Sequence, residues 1–293
     1  MNKQHMISTQ NQQEQQEFNA KLLEVLLQHP LQNLLYPCEN QIQEPLNVSV
    51  PNKESLDFRV PVKAEIQTKE ALATCFLSGI MNTTDNRYRY SGTAFALSRK
   101  VVATNAHCVI TKNGVAESIA IIPSLKEQTA DAKIYTVKTA HVFPNYYQSN
   151  NYNNDFAILI LEEELPIEVG KYSLYPGAFD RSGMDSLICE NYSYPGDKTN
   201  YSIWYDKRLV TKENQTLVTT NFSYGGQSGS PIAMTFHLYE YPPVIAVHSA
   251  GLFDIVGGVK EQVAAIMTEI DFEKILFIRD TLPDNLLQDI VVY

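Results

Sequence analysis

The rhythm of apolar and polar positions changes along this chain. Residues 1–17 are polar and glutamine-rich, with no apolar period, and predict a disordered lead. From residue 18 to 28, Phe18, Leu22, Val25 and Leu26 fall at i, i+4, i+7 and i+8, which places one apolar stripe on a helix that Pro30 stops. Leu31, Leu34, Leu35 and Tyr36 add a short apolar stretch, and Pro37 and Pro51 bracket a connection of loop character. After about residue 57, short runs rich in Val, Ile, Thr, Tyr and Phe recur between turn clusters, at 71–78, 92–97, 101–105, 118–122, 156–161, 217–220, 231–236 and 244–248. Many short strands of this kind predict a sandwich or barrel rather than βαβ units. A helical pattern returns only near the end: Asp271 is a candidate N-cap, Ile270, Ile275 and Leu276 begin a stripe, and Pro283 closes it. No internal repeat is visible. Residues 145–154, dense in Asn and Tyr, read as an exposed loop.

Composition narrows the partners. Acidic residues outnumber basic ones 33 to 23, a net charge of −10, so the basic face that nucleic acid or an anionic membrane demands is not expected. No apolar run is long enough to span a bilayer, and no apolar segment follows a basic start as in a secretory signal. Three routes stay open: the cytoplasm, export by a specialised system that reads no such signal (into a host cell included), or a signal already removed. Cys38, Cys75, Cys108 and Cys189 form no C-x-x-C pair, so structural zinc is not expected. Two disulfides are compatible with their number, but a chain of this size does not need them, and free thiols are the expectation.

Three segments carry chemistry, and their order matters. His107 follows the run Val101-Val102-Ala103-Thr104-Asn105-Ala106, just past a strand end. Asp155 stands at the mouth of the apolar strand Phe156-Ala157-Ile158-Leu159-Ile160-Leu161. Ser228 lies in the glycine-rich turn Gly225-Gly226-Gln227-Ser228-Gly229-Ser230-Pro231. A serine hydroxyl needs a neighbouring base to become a nucleophile, histidine titrates near neutral pH, and a buried carboxylate holds the imidazole in the working tautomer. Gly226, without a Cβ, lets its N–H join that of Ser228 as an oxyanion hole. Each segment alone is ordinary: a core histidine, a turn aspartate, a tight loop. Their occurrence together in a β-rich chain, in the order His, Asp, Ser, points to a hydrolase with His107, Asp155 and Ser228 as its triad and no cofactor.

These segments resemble those of the chymotrypsin-like serine peptidase superfamily, most closely its bacterial glutamyl-endopeptidase branch, which includes the staphylococcal V8 protease and the exfoliative toxins. Thr104-Asn105-Ala106-His107-Cys108, Asn154-Asp155-Phe156-Ala157-Ile158-Leu159 and Gly226-Gln227-Ser228-Gly229-Ser230-Pro231 carry the likeness, over about residues 70–265. It implies an all-β fold, a chymotrypsin-like double antiparallel β-barrel with an N-terminal helical extension and a C-terminal helix. Residues 1–56 would form the extension, about 57–165 the first barrel, 172–265 the second and 271–282 the helix. It further implies peptide-bond hydrolysis of a protein or peptide substrate through an acyl-enzyme. The strand Pro243–Gly251 matches the one lining the family's cleft, so Ser249 and Gly251 are expected to meet an extended substrate, with Gly251 keeping the pocket mouth open. His248 and Ser223 fall where the glutamyl-specific branch binds the acidic side chain before the scissile bond, as hydrogen-bond donors to a carboxylate. Gln227 departs from the animal enzymes, where an aspartate pairs with an N-terminus freed by cleavage. The usual cysteine partner of Cys108 would fall near Ser91, which leaves Cys108 unpaired by that route.

Two rival classes are weighed against this reading. A catalytically silent, protease-like binding module would be expected to lose a triad member or a loop glycine, and all are present. An α/β-type esterase uses Gly-x-Ser-x-Gly with the order Ser, Asp, His, whereas Ser230 and Pro231 break that pattern here. Within the proteases, broader specificity is the alternative to glutamate. The apolar stripe of the N-terminal helix fits either packing on the main domain or a pro-segment or partner-binding role.

Overall fold

The apolar runs become strands of two closed barrels with the same internal connectivity, seen in a computed structural model that describes residues 3–35, 57–63, 67–125, 131–146, 151–198, 202–213, 216–235, 238–256 and 259–293. In the first barrel, β1 (Thr74–Thr83), β2 (Arg87–Ala96), β3 (Val101–Thr104), β4 (Gly114–Pro123), β5 (Tyr135–Val142) and β6 (Ala157–Leu161) run in the order β1-β2-β3-β6-β5-β4. The β1–β4 ladder closes the ring. In the second, β7 (Ser186–Ser193), β8 (Trp204–Glu213), β9 (Thr216–Thr219), β10 (Pro231–Met234), β11 (Pro243–Val256) and β12 (Val259–Glu269) repeat that order as β7-β8-β9-β12-β11-β10, closed by β7–β10. The duplication, absent from the residues, exists in the backbone. Closure leaves these strands without a free edge, and the all-β double barrel is the observed fold.

The expected run 71–78 starts with a helical turn, Lys69–Ala73, whose Ala71 N–H is capped by Thr68 Oγ1 at 3.1 Å. The polar lead is also different from expectation. Helix α1 runs from Lys3 to Gln28, so residues 3–17 are helical rather than disordered. Glutamine, glutamate and lysine are good helix formers, no Gly or Pro interrupts them, and i,i+4 bonds such as Gln13 to Glu17 at 2.9 Å support the exposed face. The stripe Phe18, Leu22 and Leu26 is fully buried, packed with Phe76, Ile80, Ile122 and Leu125 of the first barrel. The barrel itself therefore covers the face on which a partner was considered. The connection at 36–56, Cys38 and residues 147–150 of the Asn/Tyr loop lie outside the described residues.

The segments before the first barrel and after the second both reach across the molecule. Val60 and Pro61, ahead of β1 and expected in the first barrel, pair instead with Tyr205 and Trp204 of β8. At the other end β12 extends past residue 265 to Glu269, and helix α2 (Phe272–Thr281) follows, its Asp271 side chain accepting from Lys274 N–H at 3.0 Å. Phe277 of α2 packs edge-on against Phe143 (5.4 Å between ring centres) and Phe156 (6.5 Å), beneath the segment that carries Asp155.

Candidate active site

Strand pairing brings the first two site residues together. In the β3–β6 ladder Thr104 faces Ala157, so the residues just after β3 meet those just before β6. A short 3-10 turn at Ala106–Cys108 then aims the His107 ring at Asp155. Asp155, with no exposed surface, receives two bonds from one residue: His107 N–H to Oδ1 at 2.9 Å and the ring Nδ1 to Oδ2 at 2.7 Å. Ring and backbone are thus fixed to one carboxylate, which leaves Nε2 toward the cleft. Burial of the ring favours its neutral form, but Asp155, through its charge and its hydrogen bond, and the neighbouring Cys108 together outweigh that and raise the His107 pKa well above the ordinary histidine value. Asn105 Nδ2 donates to the Asp155 carbonyl at 2.7 Å and to Ser249 Oγ at 3.1 Å, tying this segment to the second barrel.

Ser228 reaches the same cleft from the loop before β10. An opening of about 440 Å³ is lined by His107, Ser223, Ser228, Ser249 and Gly251 together with tyrosines and Phe253. The Ser228 hydroxyl donates to the Ser249 carbonyl at 3.2 Å. Among the described residues it makes no hydrogen bond to His107.

The loop geometry explains its glycines. Gly226 sits at φ +97°, and a Cβ there would run into the Tyr194 carbonyl and within 3.0 Å of Gly196 N. The Gly225 carbonyl is held by Gly196 N–H at 2.7 Å. In a trans peptide the N–H points the opposite way, so this bond turns the Gly226 N–H away from Gly196. Among the described residues neither the Gly226 nor the Ser228 N–H has a hydrogen-bond acceptor, leaving two donors on the Ser228 loop unspent.

On the far wall His248 and Ser223 are in contact, Nε2 to Oγ at 2.7 Å, and both are buried. Behind them lies a residue that sequence reasoning missed. Arg208, fully buried, approaches His248 Nδ1 at 3.1 Å through Nη1 and grips Asp206 with Nε and Nη2 at 2.7–3.1 Å. A guanidinium only donates, so Nδ1 accepts and the ring carries its proton on Nε2. Burial and the Arg208 charge hold the His248 pKa well below the ordinary histidine value, in keeping with a neutral ring. Nε2–H therefore donates to Ser223 Oγ, and the Ser223 hydroxyl proton stays available to the cleft. The signal in the sequence was the i,i+2 spacing of Asp206, Arg208 and Val210, one face of a strand, which reads as surface until the barrel closes over it.

At β11 the ladder to β12 shifts between His248 and Ala250, leaving Ser249 at a bulge. Gly229 N–H bonds the His248 carbonyl at 2.9 Å, the Ser228 hydroxyl reaches the next carbonyl, that of Ser249, and residues 249–251 continue along the cleft. A Cβ at Gly251 would lie 3.3 Å from Gln262 and Phe253. Cys75, Cys108 and Cys189 are free thiols, and burial pushes the Cys189 thiol up to about 12.

Comparisons with known proteins place this arrangement. The chain is 26% identical over 215 residues to a glutamyl endopeptidase of Bacillus licheniformis, covering 69% of this chain and 67% of that protein. It is also 26% identical over 165 residues to a protein of Bacillus subtilis named as an extracellular metalloprotease, covering 55% and 51%. Among solved structures, a Glu endopeptidase in complex with MPD superimposes with a TM-score of 0.60 at 18% identity, over 79% of this chain and 98% of that one. The trypsin family profile matches residues 67–271, which span both barrels and every candidate site residue. With the double barrel and this match, the chain belongs to the trypsin family of chymotrypsin-like serine peptidases, near the glutamyl-endopeptidase branch.

Proposed function

We propose that the protein is a serine endopeptidase in which Ser228 attacks the scissile carbonyl as His107 takes its proton, the C–N bond breaks as His107 gives that proton to the leaving amine, and Asp155 holds and stabilises the imidazolium. The observation that carries this is the pair of hydrogen bonds from His107 to a fully buried Asp155, with the ring facing the cleft that contains Ser228. The Gly226 and Ser228 N–H groups are suited to the oxyanion of the tetrahedral intermediate, where a single lost donor costs about 10²–10³ in rate. The acyl group then leaves to water activated by the same histidine, with no cofactor in the sequence of steps. Ser249 and Gly251 offer backbone groups to an extended peptide.

The acidic preference rests on the wall opposite. With Nε2–H given to Ser223 Oγ and the Ser223 proton free, the pocket presents the Ser223 hydroxyl as a donor to a carboxylate, backed by the Arg208 charge. We assign a glutamate preference to that pair. Two measurements test the reading. Ser228→Ala is expected to lose peptidase activity by several orders of magnitude, since triad members act as a unit; a wild-type chain that cleaves no peptide, with biological activity undiminished in Ser228→Ala, supports the silent binding module instead. A peptide series varying only the residue before the scissile bond is expected to favour Glu over Gln and Ala, and indifference to that side chain overturns the specificity assignment alone.

A further inference from the structure

We infer that residues 57–62 form a built-in latch on the nucleophile loop, with Arg59 as a positioning residue that keeps the oxyanion-hole peptide in register. The inference rests on the hydrolase reading above. Arg59 precedes the first barrel in sequence yet lies against the second, where Val60 and Pro61 pair with β8 and Val62 N–H bonds the Ile203 carbonyl at 3.1 Å. Its side chain is 1% exposed, and its donors are shared out. Nε and Nη2 reach Asp57 at 2.8 and 2.9 Å, and Nη1 and Nη2 reach Asp197 at 2.9 and 2.7 Å. Nη1 also lies 3.3 Å from Gln227 Oε1, and the guanidinium covers the Phe222 ring at 4.9 Å. Lys198 completes the cluster, 3.0 Å from Asp57, so two cations face two carboxylates.

Both loops that build the candidate hole meet at this guanidinium. Asp197 follows Gly196, whose N–H holds the Gly225 carbonyl and so turns the Gly226 N–H outward. Gln227 lies between the two proposed hole donors and is fully buried with its amide spent: Oε1 accepts from Tyr224 N–H at 2.9 Å and from Arg59, and Nε2 donates to Ser193 Oγ at 3.1 Å. Gln227 bears no charge to pair with a freed terminal amine. A cation already inside the chain stands there instead, pairing with carboxylates on either side and touching Gln227 from below. The loop is thereby organised by the uncut chain, and loss of the latch lowers catalysis rather than releasing it.

The test uses the full chain, a serine-directed fluorophosphonate to count competent sites, and a chromogenic peptide for kcat and KM. Arg59→Ala is expected to lower kcat per labelled site about 10²-fold, the scale of one lost hole donor, with KM little changed. Guanidinium chloride at non-denaturing concentration is expected to restore part of that kcat. Arg59→Lys is expected to fall between, because the charge remains while the planar fork is lost. A purely structural role gives fewer labelled sites at unchanged kcat per site and no rescue, and that result overturns the latch. If Arg59→Ala does not fold, kcat per site in Arg59→Lys decides in the same way: a value equal to wild type overturns it. Failure of the wild-type chain to label at Ser228 counts against the hydrolase reading itself.

Discussion

Replacing Arg208 by methionine tests how the pocket works. The change removes the bidentate partner of Asp206, whose side chain is 1% exposed and, among the described residues, is left with Asn221 Nδ2 at 3.4 Å. Neither member of the pair is screened by solvent, so the penalty for an orphaned buried carboxylate applies nearly in full, about 3–5 kcal/mol. Replacing both, in Arg208→Met/Asp206→Leu, removes the charges together and is expected to recover most of that loss, since swapping a buried ion pair for apolar groups is often neutral. Specificity is expected to behave differently. Without Arg208, His248 Nδ1 has no donor, the ring can hold its proton there, and Nε2 then accepts from Ser223. The hydroxyl proton is withdrawn from the cleft in both variants. A hydrogen bond to a charged group contributes about 1.5–3 kcal/mol, so Glu-over-Gln discrimination should drop by roughly 10- to 150-fold. Urea denaturation gives the stabilities, and kcat/KM for a matched Glu/Gln peptide pair gives the discrimination. A paired variant that is stable and still discriminates like wild type refutes the proton relay.

Further outcomes follow from other groups. His107 must be neutral to act as base, and its pKa is raised, so the ascending limb of kcat/KM should lie above the ordinary histidine value; Asp155→Asn should move that limb down and lower kcat by about 10⁴. For stability the sign is opposite. A raised folded-state pKa contributes fully below the ordinary histidine value and is lost as pH rises through the raised one, so unfolding measured across that window should show the chain weakening only if the His107–Asp155 bond is intact. Because His248 is held neutral, the ratio of Glu to Gln cleavage should stay level from mildly acidic to alkaline pH, and a ratio falling through neutrality would point to a protonated ring instead. Leu22→Ala should destabilise the chain by about 2–5 kcal/mol by opening a cavity under α1, whereas Leu23→Ala, on the exposed side of the same turn, should stay within about 0.5 kcal/mol in the same denaturation assay.

How much of this was readable in advance depended on whether a feature is local in sequence. The turn around Ser228 announces itself because Gly226 and Gly229 both need positive φ, which forces a residue type. The Asp155 segment is equally local, a carboxylate followed at once by the apolar strand β6. The β8 strand was not recognised at all: its Asp206 and Arg208 resemble exposed charges, and it takes Asn191, Asn221 and His248, distant in sequence, to make their burial tolerable. Arg59 was invisible for the same reason, since Asp197 and Gln227 lie more than a hundred residues away. In α1 the error ran the other way. Low hydrophobicity was read as disorder, although the helix needed only three apolar contacts and a run of good helix formers.

The two crossings described for the chain have a mechanical result. A strap that precedes the first barrel grips the second, and the terminal helix of the second braces the first beneath Asp155. Hinge opening of the two halves is opposed from both sides, so the width of the groove is set by a frame clasped at both ends. Ligands of different bulk must be met by side-chain rotation along its rim, and trimming the last helix should slacken the wall bearing the imidazole while leaving the opposite wall taut.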